Sequence, residues 1–525
     1  LRTTMTTLDD PIYFLAIDNG TQSVRALIFD QFGNEISKAR VPIEPYFSTE
    51  PNFAEQHANY YWQKLSEACQ QLWQSCDIKP EQIAGVSLAT QRYTMICLDK
   101  DKQPLRPAIV WMDLRRGETN DIGFLSPLTK IIGMGELVQE AQQKARCNWL
   151  AYHEPEMWAK TAHYVNLSAY LTYQLTGELA DSNGHALGYL PYDYKAQTWL
   201  KPKDLKWRLF SCRPEQMPKI VAPGQSLGHI SAKAAKATGI LEGTPMIAAA
   251  SDKACEALGS AGLAADTACL SFGTTATINT TSSNYVEILK HMPAYTAAAP
   301  NYYNHEYMIY RGFWMVSWFK EQFAHYEEQL AKTQGIDTEK LLDQAVKDIP
   351  AGCMGLMMQP YWSPGVRHPG LEGKGALIGF GDVHTRAHVY RAILEGLAYE
   401  LKLGFDTIEK RTSKTIKHLR VSGGGSQSDS AMQLTADIFG MPAYRPHTYE
   451  ASGLGAAINC AVGLGVYPDH AAASEAMTHL GDEFIPIEAN VQLYKRLYNE
   501  VYLKMYERLK PLYQSIQDIT GYPAK

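Results

Sequence analysis

The sequence FLAIDNGTQSVRALIFDQFGNEI, from Phe14 to Ile36, carries the clearest indication of fold class. Its first run, Phe14 to Ile17, is apolar throughout, and a second apolar run spans Val24 to Phe29. Strands buried on both faces have this pattern, which is typical of the central sheet of an α/β domain. The turn residues Asp30 to Asn34 suit a hairpin return into Ile36. We therefore predict adjacent buried strands joined by a polar turn.

That polar turn contains Asp18, Asn19, Gly20, Thr21 and Ser23, which would be poor core residues. Gly20 lets the backbone approach an oxyanion, and nearby N–H groups and hydroxyls can donate to phosphate oxygens. Asp18 can hold Mg²⁺, which proteins usually bind through water. The alternative interpretation is an ordinary Asn-Gly turn.

Composition restricts the class of protein. A chain of 525 residues should fold as two or more domains. The net charge of -6 offers no basic field for nucleic acid or membrane. Nine cysteines without a CxxC pair favour reduced thiols in a cytoplasmic protein. The segment from Leu1 to Asp10 lacks an apolar run, so it predicts no signal peptide, and charges interrupt the apolar stretch from Pro245 to Leu270.

A second copy of the first pattern opens the other half of the chain. TACLSFGTTATINTTS, Thr267 to Ser282, is again an apolar strand, a Gly-Thr turn and a β-branched strand. Two copies indicate a weak duplication and two related α/β domains that face each other across a cleft. We place the domains at residues 1–258 and 259–525. In the first, we predict a helix near Ala58 to Gln74 and a strand at Ile83 to Thr90.

The second Gly-Thr turn comprises Gly273, Thr274 and Thr275. Together with the first turn, it could hold one polyphosphate from both sides of a cleft; the alternative is a hairpin without a ligand.

A glycine run, Gly423 to Gly425, follows a predicted strand. A helix should begin near Ser428 or Asp429 and end at Gly440. A glycine-rich turn before a helix N-terminus is a ready anion site, and a flexible turn is the alternative.

Two further features have competing interpretations. Asp252 lies at a strand-to-helix junction, where it could act as a general base or cap the helix. Two polar clusters in the first half could bind polyol hydroxyls, with an indole stacked on the carbon skeleton, or could be surface charge; they contain Gln91, Arg92, Trp111, Asp113 and Arg115.

In this order, the segments resemble the FGGY family of carbohydrate kinases, within the sugar kinase/Hsp70/actin superfamily, over nearly the whole chain. The matching segments are AIDNGTQSVRALIFD, WMDLRR, ASDKACEALGS, LSFGTTATI, GALIGFGDVHTRAHVYRAILEG (Gly375 to Gly396), SGGGSQSDSAMQLTAD and EASGLGAA (Glu450 to Ala457). The resemblance implies two actin-like ATPase (ribonuclease H-like) domains with mixed central sheets flanked by helices. It implies transfer of the ATP γ-phosphoryl group to a small polyol or ketose, with Mg²⁺, by a homodimer.

The resemblance also implies residue roles. Asp252 would be the catalytic base and Asp18 the metal-binding residue. Cofactor-binding residues would be Asn19, Gly20, Thr21, Ser23, Arg25, Gly273, Thr274, Thr275, Gly423, Gly424, Gly425, Gln427 and Ser428. Substrate-binding residues would be Gln91, Arg92, Trp111, Asp113, Arg115, Asp252 and Lys253. Gln433 and Asp437 would lie at the adenosine site, and the helix from Glu450 to Ala457 would close the nucleotide pocket.

The chain departs from the family pattern at several positions. Glycerol kinases have Gln-Arg-Glu where this chain has Gln91-Arg92-Tyr93, and the Met-His of xylulokinases is absent. After the catalytic Asp, those subfamilies have Gln or Asn, whereas this chain has Lys253. A second family signature is degraded near Arg146 to Trp149.

Three functions are therefore compared. The main hypothesis is a small-sugar kinase. The second is a nucleotide-dependent switch of the actin or Hsp70 type, which usually lacks the substrate segment and catalytic Asp. The third is a degenerate kinase, in which an ion pair with Lys253 depresses the pKa of Asp252 and weakens it as a base.

Overall fold

Two large mixed β-sheets organise the residues described by the computed structural model, which are 11–123, 125–131, 133–363 and 368–522. The expectation of no signal peptide concerns Leu1 to Asp10, which lie outside these residues.

The first half builds a six-stranded sheet, a smaller four-stranded sheet and a set of helices. Its strands are β1 (Tyr13–Asn19), β2 (Ser23–Asp30), β3 (Glu35–Pro42), β4 (Glu55–Gln56), β5 (Ile83–Thr90), β6 (Met95–Leu98), β7 (Ala108–Ile109), β8 (His163–Asn166), β9 (Ala180–Ser182), β10 (Tyr192–Asp193), β11 (Thr198–Trp199), β12 (Lys219–Val221), β13 (Ser226–His229) and β14 (Pro245–Ser251). Its helices are α1 (Ala58–Ser75), α2 (Leu125–Ile131), α3 (Gly135–Lys144), α4 (Arg146–His153), α5 (Pro155–Lys160), α6 (Leu167–Thr176), α7 (Ala232–Thr238) and α8 (Asp252–Gly259).

The second half builds a seven-stranded sheet and longer helices. Its strands are β15 (Thr267–Phe272), β16 (Ala276–Ser282), β17 (Tyr295–Thr296), β18 (Tyr303–Ile309), β19 (Met357–Gln359), β20 (Ala376–Ile378), β21 (His418–Ser422), β22 (Ala443–Pro446) and β23 (Leu480–Phe484). Its helices are α9 (Trp314–Phe323), α10 (His325–Gln334), α11 (Thr338–Lys347), α12 (Arg386–Thr412), α13 (Asp429–Phe439), α14 (Ala451–Gly463), α15 (His470–Met477), α16 (Glu488–Leu497) and α17 (Leu503–Thr520).

The two large sheets have the same internal arrangement. In the first, β3, β2 and β1 pair antiparallel, and β5 and β14 continue from β1 in parallel. In the second, β18, β16 and β15 pair antiparallel, and β21 and β22 continue in parallel. This shared order confirms the duplication predicted from the two Gly-Thr turns. It also confirms an α/β fold of two actin-like domains with mixed sheets flanked by helices.

Alternating burial explains how each sheet holds its helices. Residues on one face of the first sheet pack with α1, α6 and α7, while those on the other face pack with α8 and α14. The second sheet shares its core with α9, α12 and α13. Strands covered on both faces must be apolar at consecutive positions, as the sequence from Phe14 to Ile17 is.

Helices α8 and α14 meet at the junction of the two halves. A Cβ at Gly259 would lie 2.0 Å from the carbonyl oxygen of Ala451, and a Cβ at Gly455 would lie 1.9 Å from that of Cys255. Glycine is therefore required at both positions for this close approach. Because α14 also packs on β1, β5 and β14, the second half contributes to the core of the first. The boundary between residues 258 and 259 stays a prediction.

Candidate active site

The first Gly-Thr turn joins β1 to β2 and contains buried polar atoms without partners. The N–H of Gly20 donates to the carbonyl of Ser23 at 3.1 Å, which closes the predicted tight turn. Asn19 is fully buried, and neither atom of its amide has a hydrogen-bond partner among the described residues. Buried polar groups are normally paired, so this amide indicates a site that a ligand or water completes. The cofactor-binding roles assigned here stay predictions.

Asp18 lies beneath this turn and is only 3% exposed. Its Oδ2 accepts a hydrogen bond from Nη1 of Arg25 at 3.1 Å, whereas its Oδ1 has no partner in the described part of the chain. Burial raises the pKa of Asp18 to about 7; the charge of Arg25 opposes this shift, and carboxylates add to it (Asp252, Glu450 and Glu256). A cation would favour the ionised form. The free oxygen and this unfavourable environment therefore fit a bound Mg²⁺.

Asp252 is the first residue of α8 and follows the end of β14. Ser251 occupies the N-cap position, and its side chain makes no capping hydrogen bond. The carboxylate of Asp252 instead accepts from the adjacent N–H of Lys253 at 2.7 Å. Burial raises the pKa of Asp252, although the charges of Arg92 and Lys253 lower it. A half-buried carboxylate with a raised pKa is suited to accept a proton.

The ammonium of Lys253 forms its hydrogen bonds with residues other than Asp252. Its Nζ donates to Oε2 of Glu256 at 2.8 Å and to Oγ of Ser271 at 2.6 Å. The expectation that Lys253 holds the pKa of Asp252 down is therefore wrong in its net direction, because the ion pair forms with Glu256 and burial dominates at Asp252. The ion pair from which the degenerate-kinase hypothesis was argued is thus formed with Glu256 instead, and the hypothesis itself stays a prediction.

The first substrate cluster faces the second half of the chain. Arg92 forms a two-point ion pair with Glu306 on β18, at 2.8 and 2.9 Å, and lies over the ring of Tyr295. Glu306 is almost fully buried, so its charge needs this partner. Gln91 is buried between its own strand end and the first turn, with its amide 3.5 Å from the carbonyl of Gly20.

The other substrate cluster is held mostly by its own members. The guanidinium of Arg115 donates to both carboxylate oxygens of Asp113, at 2.8 and 2.7 Å, and to Glu55 at 2.7 Å. These groups are buried, so the geometry gives them a clear role in shaping the loop. Trp111 is 37% exposed, and its indole donates to Oγ1 of Thr21 at 3.0 Å, joining the substrate loop to the first turn. Direct substrate contacts by these residues stay predictions.

The second Gly-Thr turn joins β15 to β16, as predicted. The carbonyl of Gly273 accepts from the N–H of Phe313 at 3.0 Å, and that of Thr274 accepts from the N–H of Gly312 at 2.9 Å. The hydroxyl of Thr275 lies 3.5 Å from the carbonyl of Tyr310. Backbone hydrogen bonds from the residues just before α9 thus hold the turn in place.

The glycine run after β21 lies against the second turn. A Cβ at Gly423, where φ is +85°, would be 2.8 Å from the backbone of Phe272, and a Cβ at Gly425 would be 2.3 Å from the ring of Phe313. At Gly424, by contrast, a Cβ would meet no described atom within 4 Å. Two glycines therefore permit the loop to pack, and the third presents bare backbone to open space. The structure therefore brings the glycine run and the second Gly-Thr turn together.

The helix after the glycine run begins as predicted. Ser428 caps α13 by accepting from the N–H of Ala431 at 3.0 Å, and its hydroxyl also donates to Asp343. Gln427 is exposed. Gln433 and Asp437 bond to each other at 3.0 Å. The carboxylate of Asp437 also accepts from Ile487 and Asn490 in the C-terminal segment. Their adenosine-binding role stays a prediction.

Sequence reasoning missed four residues that connect these parts. Ser271 is the next-to-last residue of β15, and Ser422 is the last residue of β21. Glu256 forms an ion pair with Lys253, and Glu306 forms one with Arg92. Glu256 could have been found, because it lies three residues after Lys253 on one helix. No local pattern distinguishes Glu306 from other strand residues.

Two searches of the described residues bear on the site. No group of three or more His, Cys, Asp or Glu side chains there could hold a metal ion. Mg²⁺ commonly uses one or two carboxylates together with substrate phosphates, so Asp18 agrees with that manner of binding. No helix within the described part of the chain is long and apolar enough to span a membrane.

Two related α/β domains with paired Gly-Thr turns fit both the kinase and the nucleotide-dependent switch considered above, and comparison with known families distinguishes the two. The profile of the N-terminal domain of the FGGY family of carbohydrate kinases matches residues 13–259, and the profile of its C-terminal domain matches residues 268–464. The chain therefore belongs to the FGGY family of carbohydrate kinases. It is a phosphotransferase, and kinases of this family use ATP as the phosphate donor.

Proteins with similar sequences align with this chain over nearly its full length. The uncharacterised sugar kinase YgcE of Escherichia coli K12 is 31% identical over 483 residues, which cover 92% of this chain and 91% of that protein. A xylulose kinase of Lactococcus lactis is 27% identical and covers 94% of this chain and 96% of its own.

A solved xylulose kinase from Rhodospirillum rubrum is similar in fold, with a TM-score of 0.79 at 22% identity, covering 96% of this chain and 100% of its own.

Proposed function

We propose that the chain transfers the γ-phosphoryl group of Mg²⁺-bound ATP to a hydroxyl of a small polyol or ketose, with Asp252 as the general base. The observation that carries this proposal is the position of Asp252. It starts α8, is coupled by charge to Asp18 and Arg92, and lies next to Lys253, which reaches the second Gly-Thr turn. The charges of Asp18 and Arg92 near Asp252, and the contact of Lys253 with Ser271 before the second turn, support Asp252 as the base.

In this reaction the hydroxyl oxygen forms a bond to the γ-phosphorus while its proton passes to the carboxylate of Asp252. The bond from the γ-phosphorus to the bridging oxygen breaks, and its electron pair leaves with ADP. The protein mainly positions the reactants and neutralises charge. Asp18 would hold Mg²⁺, whose contribution when bound is to neutralise phosphate charge. The open backbone at Gly424 would receive part of the nucleotide.

We expect a neutral acceptor rather than an aldonate. Three cations near the predicted turns each pair with a carboxylate of the protein: Arg25 with Asp18, Arg92 with Glu306, and Lys253 with Glu256. An acidic sugar would bring a further negative charge close to these carboxylates. Relatives named xylulose kinases support a ketose, whereas a solved neighbour of similar fold is named a gluconate kinase, so both classes belong in the test. A homodimer stays a prediction.

The test is sugar-dependent ADP release with Mg²⁺ and ATP, with the phosphorylated product identified by mass spectrometry. The panel contains polyols, pentuloses, hexuloses, aldoses and gluconate. Asp252→Asn keeps an acceptor for the N–H of Lys253 but removes the base, so we expect kcat to fall by about 10²- to 10⁴-fold. Asp101→Asn, at an exposed loop position, is the control. Full activity of Asp252→Asn would contradict the assignment, and ADP release without a phosphorylated sugar would contradict the function.

A further inference from the structure

Lys253 lies at the centre of a hydrogen-bonded chain that crosses the domain junction. Its ammonium donates to Glu256 and to Ser271, which lies two residues before Gly273 of the second Gly-Thr turn. The other oxygen of Glu256 accepts from the hydroxyl of Ser422 at 2.6 Å. Ser422 directly precedes the glycine run at Gly423. One chain of contacts therefore connects the start of α8 with both loops of the second half.

The ammonium also lies beside the turn itself. The position that a Cβ would occupy at Gly273 is 3.6 Å from Nζ of Lys253. An ammonium has three hydrogens, and the described residues provide two acceptors, Glu256 and Ser271. The third hydrogen is available to an acceptor at the turn. A ligand oxygen placed against the Gly273 backbone would thus be within reach of a positive charge.

The positive charge of Lys253 is unusual for the position that follows the predicted catalytic Asp. The resemblance to glycerol kinases and xylulokinases implies an amide at this position, which can orient a hydroxyl but carries no charge. A lysine at this position costs dehydration of an ammonium, and Glu256 compensates for that cost within the protein. The environment raises the pKa of Lys253 despite burial, mainly through the charges of Glu256 and Asp252, so the cation persists at neutral pH.

We propose that the Lys253 ammonium binds an oxygen of the ATP γ-phosphoryl group at the second Gly-Thr turn, and that Glu256 and Ser271 position it there. This inference rests on the proposed function and assigns Lys253 to the phosphoryl group instead of the sugar. Lys253 would then neutralise charge on the group during its transfer, alongside the base at Asp252. Lys is a point charge with freely oriented donors, which suits a group that moves from ATP to the sugar.

The γ-phosphate is present in ATP and absent from ADP, so nucleotide affinities isolate this contact. We would measure dissociation constants by calorimetry, without sugar, for ADP and for the β,γ-imido analogue of ATP. Loss of a charged hydrogen bond typically lowers affinity by about 10- to 100-fold. For Lys253→Met we expect that loss with the analogue and little change with ADP. Lys253→Gln should behave the same way, and it preserves a polar side chain if Met disturbs folding.

The matched control is Lys64→Met. Lys64 pairs with Glu67 at 2.7 Å with the same spacing of three residues on a helix, but on α1. It should leave both nucleotide affinities unchanged. In steady-state assays Lys253→Met should lower kcat without raising the KM of the sugar. Glu256→Gln removes the charge that holds the Lys253 ammonium in position, so it should lower the affinity for the analogue by a smaller factor.

Three outcomes would overturn the inference. If both nucleotides lose affinity equally, Lys253 acts on the fold of the site or on the other phosphates. If affinities are unchanged and only the KM of the sugar rises, Lys253 binds the sugar. In both cases the wild type still phosphorylates sugar, so the proposed function stands. If the wild-type protein binds neither nucleotide, the proposed function fails first and the inference fails with it.

Discussion

Replacing the metal-binding candidate Asp18 with Asn should stabilise the free protein while removing activity. The carboxylate is buried, one of its oxygens has no described partner, and neighbouring carboxylates repel its charge. In the absence of a bound cation, the folded state must either keep this charge or take up a proton. Asn has nearly the same shape and no charge, so it avoids both.

The size of the effect follows from the pKa. The pKa of Asp18 rises from 3.8 to about 7, a difference of about 3 units. At about 1.36 kcal/mol per unit, this corresponds to roughly 4 kcal/mol of lost stability at pH values above 7. The Asn variant also loses the ion pair with Arg25. Because Arg25 is 33% exposed and keeps its ion pair with Glu450 at 3.4 Å, this loss lowers the free energy of unfolding by only about 0–1 kcal/mol. We therefore expect a net gain of about 3–4 kcal/mol at pH values above 7.

The gain should depend on pH with a defined sign. Between 3.8 and about 7 the folded carboxyl of Asp18 is protonated while the unfolded one is ionised. Folding then takes up a proton, so the stability of the wild type falls as pH rises through this window. The difference between Asp18→Asn and the wild type should thus be small near pH 4 and level off above about pH 7. Urea unfolding, followed by tryptophan fluorescence across this range, measures it.

Asp77→Asn is the control, because Asp77 is exposed. It should leave the unfolding free energy almost unchanged at every pH. The ligand experiment runs in the opposite direction: Mg²⁺ and ATP should stabilise the wild type, and Asp18→Asn should lose most of that stabilisation. A variant that is no more stable than wild type at pH 8, or whose gain is the same at all pH values, would show that the buried charge of Asp18 is not a burden on the fold.

Three further substitutions test the site. Gly424→Ala adds a methyl group in open space, so it should raise the KM of ATP without loss of stability. Gly425→Ala places a Cβ 2.3 Å from the ring of Phe313, so it should lower the melting temperature. Glu306→Gln leaves the half-buried Arg92 without its charge partner and should lower the free energy of unfolding by about 3–5 kcal/mol, measured in urea.

Each of these has a clear counter-result. Equal melting temperatures for the two glycine variants would mean that the loop relaxes away from the aromatic rings. An unchanged KM of ATP for Gly424→Ala would place the nucleotide elsewhere. For the ion pair, Glu81→Gln at an exposed position is the control, and a loss no larger than in that control would show that Arg92 finds water or another acceptor.

Local patterns predicted much of this protein correctly. The apolar run after Tyr13 forms β1, because a strand covered on both faces needs apolar residues in succession. Ser428 starts α13 and Gly440 ends it, since capping depends on groups within one turn of the chain. The two Gly-Thr turns appear at the tight ends of matching hairpins, and the family profiles agree with the motif order.

The direction of charged side chains was not predictable in this way. Adjacent positions suggested that Lys253 acts on Asp252, yet its ammonium reaches Glu256 and Ser271. Arg92 pairs with Glu306, more than two hundred residues away. Motif spacing along the chain determines turns, caps and strand faces, because these depend on neighbouring residues. Which charges meet in the cleft depends on how α8, β15 and β18 are brought together, and that is a property of the folded core rather than of any one segment.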